Sequence, residues 1–166
     1  MSMISKTYQL SIVTSIILIS LVFTGYTYYA DAQAIEKISA EVYSFNPDSN
    51  IDLDLLKRTL DLNFTLNMTN PSSRDINDIS STFKIYIEEN FIGNGSFTNL
   101  TLRAKSSKFK EITVSFDLKG FAYSFIDTIA NVLKNETTTI TIEGNLTASV
   151  LFGLTSASHQ YTAVSS

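Results

Sequence analysis

The side chain best suited to acid–base chemistry is that of His159, the single histidine in a chain with no cysteine. A Ser-His-Asp hydrolase would need this histidine as its base, but no Gly-x-Ser-x-Gly elbow presents a serine to it. We therefore predict a solvent-exposed His159 in a polar C-terminal loop. The missing cysteines exclude disulfides, thiolate metal sites and thiol nucleophiles, and one histidine cannot form a histidine-based metal cluster.

A second pattern has the alternating oxygen ligands of a calcium loop. It consists of Asp48, Asn50, Asp52 and Asp54. A calcium loop of this kind needs glycine at its sixth position and a bidentate acid at its twelfth, where this chain has Leu53 and Thr59. The pattern therefore predicts a turn that leads into an acidic-faced strand, with no metal ion.

Two further patterns lack what their chemistry needs. Gly93-x-Gly95 has neither the third glycine nor the following helix of a dinucleotide site. The paired acids Glu88 and Glu89 fall at a predicted hairpin tip, where solvated charges are expected. We predict no cofactor and no catalytic residue, so the chain is expected not to be an enzyme.

The chain also carries six Asn-x-Ser/Thr triplets, the acceptor pattern for N-glycans. They begin at Asn63, Asn67, Asn94, Asn99, Asn135 and Asn145. About three would arise by chance in a chain so rich in Ser and Thr. Either some of them carry glycans, or Asn and Thr simply favour exposed strand and turn positions.

The elements that would position these residues are strands, and the clearest is Leu60 to Pro71. Its even positions are apolar and its odd positions polar, which gives a strand with one buried and one exposed face. Asn70-Pro71 ends it because proline lacks the amide hydrogen of the next ladder bond. Asn63 and Asn67 lie on its polar face.

Similar alternation predicts further strands, listed in chain order: Ile38–Tyr43, Ile51–Leu55, Phe83–Glu88, Phe91–Phe97, Ile112–Leu118, Thr138–Phe152 and Gln160–Val164. Phe152 falls on the buried side of its strand, Asn145 falls on the polar side, and Gly144 is expected to mark a bend. The segments Ser72–Ser80 and Gly153–Ser158 are predicted to be loops, and Thr98–Lys108 is predicted to be polar with at most a brief strand.

One segment has the helical period instead. Phe121, Phe125, Ile129 and Val132 or Leu133 recur every three or four residues, which predicts an amphipathic helix. Alternating strands, turns between them and one helix predict a mainly β fold, an immunoglobulin/fibronectin-like two-sheet antiparallel sandwich. We assign residues 35–166 to this domain.

The remaining N-terminal part, residues 1–34, predicts a membrane anchor with a short connector. Between Lys6 and Asp31 there is no charged residue, and Leu10–Tyr29 supplies about the 20 residues that a bilayer-spanning helix needs. We expect residues 8–29 to contact the lipid bilayer, with tyrosines at both interfaces. Lys6 favours a cytoplasmic N-terminus and an extracytoplasmic sandwich on a single-pass cell-membrane protein.

A cleaved signal peptide is the alternative for this segment, and the product would then be secreted. Ala30-Asp31-Ala32 and Ala32-Gln33-Ala34 both have the small-x-small form of a cleavage site. In either case the bulk of the chain is expected outside the cytoplasm. A nucleic-acid partner is not expected, because phosphate binding needs clustered Lys and Arg and the net charge is −4.

The order of motifs resembles that of the late-embryogenesis-abundant type 2 family, also called the water-stress and hypersensitive-response domain. The resemblance covers about Ile38 to Val164. It rests on Asn70-Pro71-Ser72, the hairpin with Tyr86, Gly93 and Gly95, the strand Ile112–Leu118, and Leu151-Phe152-Gly153. It implies a sandwich of about seven strands with one helix and no catalytic residues. It also implies a role in stress tolerance or membrane-proximal signalling.

The leading functional expectation is a non-enzymatic, membrane-anchored, stress-protective or surface-binding protein with an envelope protein or a glycan as partner. The alternative is an accessory or assembly subunit of a larger membrane or envelope complex. Ser11, Thr14 and Ser15 would give its membrane helix a small-residue face for packing. A hydrolase is a distant third.

Overall fold

The alternating pattern of the sequence folds into long strands that bury one side chain and expose the next. The computed structural model describes residues 2–45, 51–54, 59–117, 119 and 139–165, with the backbone only at 2–7 and 51–54. In chain order the elements are the helix α1 (Ser2–Glu36), the strands β1 (Ser39–Ser44), β2 (Ile51–Asp54), β3 (Thr59–Asn70), β4 (Ile76–Ile87), β5 (Asn90–Leu102), β6 (Ser106–Asp117) and β7 (Ile140–Val150), the one-turn 3-10 helix η1 (Leu151–Gly153), and the strand β8 (Thr155–Val164).

Strand β3 is the centre of the first sheet. Its burial alternates without a break, with every even position from Leu60 to Asn70 buried. Strand β6 pairs with β3 along one side over its whole length, and β2 and β1 pair in succession along the other. The prediction made for Leu60–Pro71 is confirmed.

The second sheet has the strand order β5-β4-β7-β8, and all of its pairings are antiparallel. The two sheets pack face to face, with the Phe64 ring of β3 and the Phe83 ring of β4 meeting edge-on at 6.2 Å between centroids. Together they confirm the predicted mainly β, two-sheet antiparallel sandwich preceded by an N-terminal helix.

Gly144 provides room for core side chains, while the bend expected there stays a prediction. A Cβ atom there would lie 2.6 Å from the Tyr161 ring and 2.8 Å from the Phe83 Cβ, closer than real contacts allow. Gly144 pairs with Phe83 and Tyr161 in the two neighbouring strands within an unbroken β7. The glycine therefore lets two bulky side chains lie across the strand.

Two loop predictions were wrong. Strand β4 already begins at Ile76, inside the predicted loop Ser72–Ser80, and β8 begins at Thr155, inside the predicted loop Gly153–Ser158. In the polar segment Thr98–Lys108, the brief strand predicted at Leu100 and Leu102 is confirmed as the end of β5, and β6 begins at Ser106. The added residues of β6 and β8 are mostly polar, and they extend these strands through ladder hydrogen bonds that the alternation of apolar residues does not reveal.

His159 and Phe152 also differ from prediction. His159 lies within β8, opposite Leu146 of β7, and is half-buried, so it is not an exposed loop residue. Phe152 has left the β7 ladder and is 87% exposed, although the alternation placed it on the buried side. The predicted amphipathic helix at Phe121–Leu133 lies outside the described residues.

Candidate functional site

The chemistry-bearing residues singled out from the sequence do not converge. Among the described residues, no group of three or more His, Cys, Asp or Glu side chains could hold a metal ion. Asp48 and Asn50 lie outside the described residues, while the backbone of Asp52 and Asp54 pairs with β3. Glu88 has a structural role at the hairpin tip, where its carboxylate accepts a hydrogen bond from the Thr139 amide at 2.7 Å.

The interactions that stand out instead join α1 to one end of the sandwich. The side chains of Thr27, Ala34, Ile35 and Ile38 are buried, whereas the large apolar side chains between Tyr8 and Phe23 are exposed. Residues 27, 34 and 35 share one stripe of the last three turns, which faces the domain, and Ile38 lies just after the end of the helix. Helix α1 is therefore divided into a free apolar part and a docked part.

Asp31 is the polar link between the helix and the sandwich. One of its carboxylate oxygens forms an ion pair with the Arg74 guanidinium in the β3–β4 connection. The other accepts a hydrogen bond from the Leu151 amide of η1 at 3.1 Å. Both oxygens are engaged, so this carboxylate joins three segments that are far apart in the sequence.

We call the end of the sandwich that holds these contacts the docking end. It is formed by the three connections 71–75, 103–105 and 151–154. Strand directions place them together, since Asn70 pairs with Ser106 and Asn77 pairs with Ser149. The Lys105 amide donates to the Ser72 carbonyl at 2.9 Å, which ties two of the connections to each other.

Asn70 organises the docking end from inside. It is fully buried, and its Nδ2 donates to the carbonyl oxygens of Arg74 at 2.8 Å and Arg103 at 3.0 Å. Its Oδ1 accepts a hydrogen bond from the Ser72 amide at 3.0 Å. Because both ends of the amide are used, Asn70 satisfies backbone groups that neither sheet ladder reaches.

A cleft of about 780 Å³ separates the helix from the domain at the docking end. Thr27 and Asp31 line it on the helix side, and Arg74, Asp78 and Phe152 on the sandwich side. The Asp31 carboxylate and the Arg74 guanidinium in its lining are paired with each other. This ion pair holds the helix in place beside the cleft.

η1 has an unusual backbone conformation at the docking end. Leu151, Phe152 and Gly153 have consecutive φ values of 52°, 58° and 87°, in the left-handed region. Phe152 is 87% and Leu154 84% exposed. Sequence reasoning missed this feature, although the Phe-Gly-Leu run directly after a long strand could have signalled a turn with apolar side chains.

A second cleft, of about 800 Å³, lies on the second sheet. Its polar lining is supplied mainly by Lys84, Asn94, Glu143, Asn145 and Gln160. The two aromatic residues that also line it, Phe83 and Tyr161, are both buried. The lining therefore offers hydrogen bonds but no exposed ring on which a sugar could stack.

Beneath this cleft, Tyr161 is the one titratable group for which the described residues give a clear pKa shift. Burial raises its pKa from 10.0 to about 12, and the hydrogen bond with Ser81 opposes that rise. The Tyr161 and Ser81 oxygens are 3.1 Å apart in the core. This hydrogen bond satisfies two hydroxyl groups that are both buried.

The six predicted glycan acceptors are in different surroundings. Asn94, Asn99 and Asn145 are exposed on the second sheet, and Asn135 lies outside the described residues. Asn63 is half-buried and its Oδ1 accepts a hydrogen bond from Thr113 at 2.6 Å.

Asn67 is the acceptor least able to carry a glycan. Its Nδ2, the atom that would bear the sugar, donates to Glu41 at 2.7 Å, and its Oδ1 is buried without a hydrogen-bond partner. A glycan there would displace an existing contact.

Two of the three hydroxyl groups predicted to form a packing face, those of Thr14 and Ser15, are satisfied within α1 itself. Thr14 donates to the Leu10 carbonyl and Ser15 to the Ser11 carbonyl, each at 2.9 Å. They therefore do not need a second helix as hydrogen-bond partner. The helix as a whole is long and apolar enough to span a membrane.

No protein-family model matches this chain, and no curated protein matches it either. Among solved structures it is similar to the solution structure of an Arabidopsis thaliana protein, with 15% identity, a TM-score of 0.48 and coverage of 79% of this chain and 76% of that one. It is similar to the solution structure of a candidate late-embryogenesis-abundant protein, with 13% identity, a TM-score of 0.45 and coverage of 90% and 81%.

A crystal structure of a protein from Archaeoglobus fulgidus is similar at 12% identity, with a TM-score of 0.40 and coverage of 78% of this chain and 94% of that one. At these identities and TM-scores the likenesses assign neither a family nor a function to the chain. The resemblance drawn from its motifs stays a resemblance.

Proposed function

We propose that this chain is a non-enzymatic membrane protein that holds a β-sandwich outside the cytoplasm, directly above the bilayer, and acts through the sandwich surface. The observation that carries the proposal is the division of α1 into two parts. The helix is long and apolar enough to span a membrane, and its last turns are buried in the docking end. Anchor and domain are thus joined by a packed interface.

The docked helix also favours a retained anchor over a cleaved signal peptide. Both small-x-small triplets lie within α1, and Ala34 is buried against the sandwich. Cleavage after Ala32 would remove Asp31 and its contacts with Arg74 and Leu151. A mature protein without them would expose part of its docking end.

The surface through which the protein acts is polar. The outward side of the second sheet carries a hydrogen-bonding cleft, and the exposed Asn94, Asn99 and Asn145 lie on the same sheet. This surface suits weak contacts with a glycan or an envelope protein. The stress-protective role implied by the sequence resemblance is one form of such a function.

Cysteine labelling of the otherwise cysteine-free chain tests the topology. In intact cells that produce the full-length chain, we expect a membrane-impermeant maleimide to label Glu89→Cys at the hairpin tip. Ser2→Cys should be labelled only after the membrane is permeabilised. A mass spectrum of the purified protein should retain the N-terminal segment.

Equal labelling of both positions in intact cells, or a labelled product that is secreted without its N-terminus, would contradict the proposal. Stoichiometric co-purification of a second protein in mild detergent would favour the accessory-subunit alternative.

A further inference from the structure

η1 and the residue that follows it expose two large apolar side chains at the docking end. Phe152 and Leu154 are 87% and 84% exposed. In water, a domain is stabilised by burying such side chains, so their exposure is unfavourable. The backbone that presents them is in the left-handed region at Leu151 and Phe152, a costly conformation for residues other than glycine. A conformation that is costly in itself and exposes apolar surface points to an environment other than water.

Phe152 lies beside α1 at a defined level. Asp31 holds the Leu151 amide at 3.1 Å, and Phe152 lines the cleft together with Thr27 and Asp31. Phe152 is therefore level with helix residues 27–31. In a protein anchored by α1, this level is the membrane–water interface, since it follows the apolar span and contains the first charged residue beyond it.

The surface of the helix at the same level has the composition of an interface. Tyr26, Tyr28 and Tyr29 are all exposed there, as in the aromatic belts of membrane proteins. Arg103 and Lys105 are exposed at the docking end, where long cationic side chains can reach lipid phosphates. Apolar, aromatic and basic side chains are thus collected at one end of the molecule, together with the exposed acids Asp75 and Asp78.

We propose that Phe152 and Leu154 insert into the interfacial region of the same bilayer that α1 spans. This inference rests on the proposed function, because it takes α1 to be a membrane anchor. The two side chains form a second contact beside the helix, which fixes the docking end against the lipid. Because Asp31 bonds η1 to the helix at the level where the apolar span ends, we identify the occupant as lipid.

The end of the sandwich opposite the docking end supplies a reference position that is expected to stay in water. Strand β7 has eleven residues between η1 and Thr139, which corresponds to roughly 35 Å. The Glu88 amide donates to the Thr139 carbonyl at 3.1 Å, so the hairpin tip Glu88–Glu89 lies at the far end. Phe91, which is 48% exposed, starts the strand that leaves this tip.

The test uses the full-length chain in phosphatidylcholine/phosphatidylglycerol vesicles with one spin label per protein. Labels at Leu154→Cys, Tyr26→Cys, Ile17→Cys and Glu89→Cys are compared by their accessibility to oxygen, which concentrates in hydrocarbon, and to a water-soluble nickel chelate. We expect the label at 154 to be protected from the nickel chelate to the same degree as the label at 26. The label at 89 should be freely accessible to the chelate.

A second substitution tests whether the protection of the label at 154 depends on Phe152 or only on an affinity of the label itself for lipid. Phe152→Ser in the Leu154→Cys chain should raise nickel accessibility at 154 towards the value at 89. The matched change Phe91→Ser at the far end should leave the label at 154 unchanged.

The remaining outcomes each overturn the inference in a distinguishable way. If the label at 17 is in hydrocarbon while that at 154 is as accessible as that at 89, the anchor stands and the insertion does not. If the label at 17 is accessible to nickel, the proposed anchor fails and the inference fails with it. Spin–spin broadening at 154 would show that a second copy of the chain, and not lipid, covers Phe152 and Leu154.

Discussion

Asn70 shows how much a single side chain can do where a strand ends. From the sequence, Asn70-Pro71 predicts only that the ladder stops, because proline has no amide hydrogen. In the structure the asparagine side chain then replaces the missing ladder, bonding Arg74, Arg103 and Ser72. The contact with Arg103 was not predictable, since nothing local to Asn70 indicates which later turn will lie beside it.

We call these hydrogen bonds of the Asn70 side chain the Asn70 clamp, and they make a clear prediction for Asn70→Asp. The substitution keeps the shape but places an acceptor where Nδ2 now donates to two carbonyl oxygens, so we expect the free energy of unfolding to fall by about 2–4 kcal/mol. Urea unfolding of the full-length chain in detergent, followed by circular dichroism, measures this. Asn90→Asp at the exposed hairpin turn is the matched control, with a change of about 0.5 kcal/mol or less. Equal stability of the two variants would refute the clamp.

The buried Tyr161 predicts a loss of stability in alkaline solution. Its pKa is raised from 10.0 to about 12 by burial. Below pH 10 the hydroxyl is protonated in both states. Between about pH 10 and 12 the unfolded chain releases this proton while the folded chain retains it, so stability should fall with rising pH by up to about 3 kcal/mol.

Comparison with Tyr161→Phe isolates this contribution. The variant loses the hydrogen bond to Ser81 and should be less stable at neutral pH by about 1 kcal/mol. Above pH 10, however, its unfolding free energy should fall less steeply than that of the parent chain. Parallel curves for the two proteins would show that Tyr161 is not the group that titrates.

At the scale of elements, the sequence was informative wherever burial alternates without interruption. Strand β3 and the apolar positions of β7 up to Val150 followed this pattern and were predicted. The start of β4 was missed because it contains a bulge: Ile76 and Ile79 are both buried but three residues apart, and Asp78 between them has a φ of 53°. A reading based on a period of two cannot follow a strand across such a bulge.

The continuation of the partner strand β5 beyond Phe97 was not joined to the predicted strand Phe91–Phe97 for the same reason. In β5 the buried Phe97 and Leu100 are also three residues apart, with Asn99 at a φ of 60° between them.

The contacts of the docking end were not predicted at all, because Asp31, Arg74 and Leu151 come together only through tertiary structure. Sequence spacing has no signal for a contact between residues 120 positions apart, such as that of Asp31 with Leu151.

The joint between helix and sandwich can be tested with Asp31→Ala. The change removes the ion pair with Arg74 and the acceptor of the Leu151 amide, so we expect the domain to lose about 1–3 kcal/mol of stability. Amide hydrogen exchange should rise at Leu151 and in the connection 71–75 more than elsewhere. Glu36→Ala, at an exposed charge on the same helix, is the control and should change neither quantity. Unaltered exchange at Leu151 in Asp31→Ala would show that the carboxylate does not hold η1.

At the scale of the whole molecule, the two ends of the sandwich are different. The docking end collects the helix, its ion pair, the Asn70 clamp and the exposed Phe152 and Leu154. The far end carries the hairpin tip with its two acids. A domain built in this way has a fixed orientation relative to α1.

The most direct test of this account is the distance distribution between one spin label on the helix and one on the sandwich. Full-length protein in vesicles, labelled at Tyr26→Cys and Lys84→Cys, would be measured by pulsed dipolar spectroscopy. The pair Lys84→Cys and Lys108→Cys lies entirely within the sandwich. It gives the width of the distance distribution expected when both labels are on one rigid body. We predict one narrow distribution for the helix–sandwich pair, as narrow as that of the reference. A broad or multiple distribution would show that the domain moves freely on its anchor and would contradict the account.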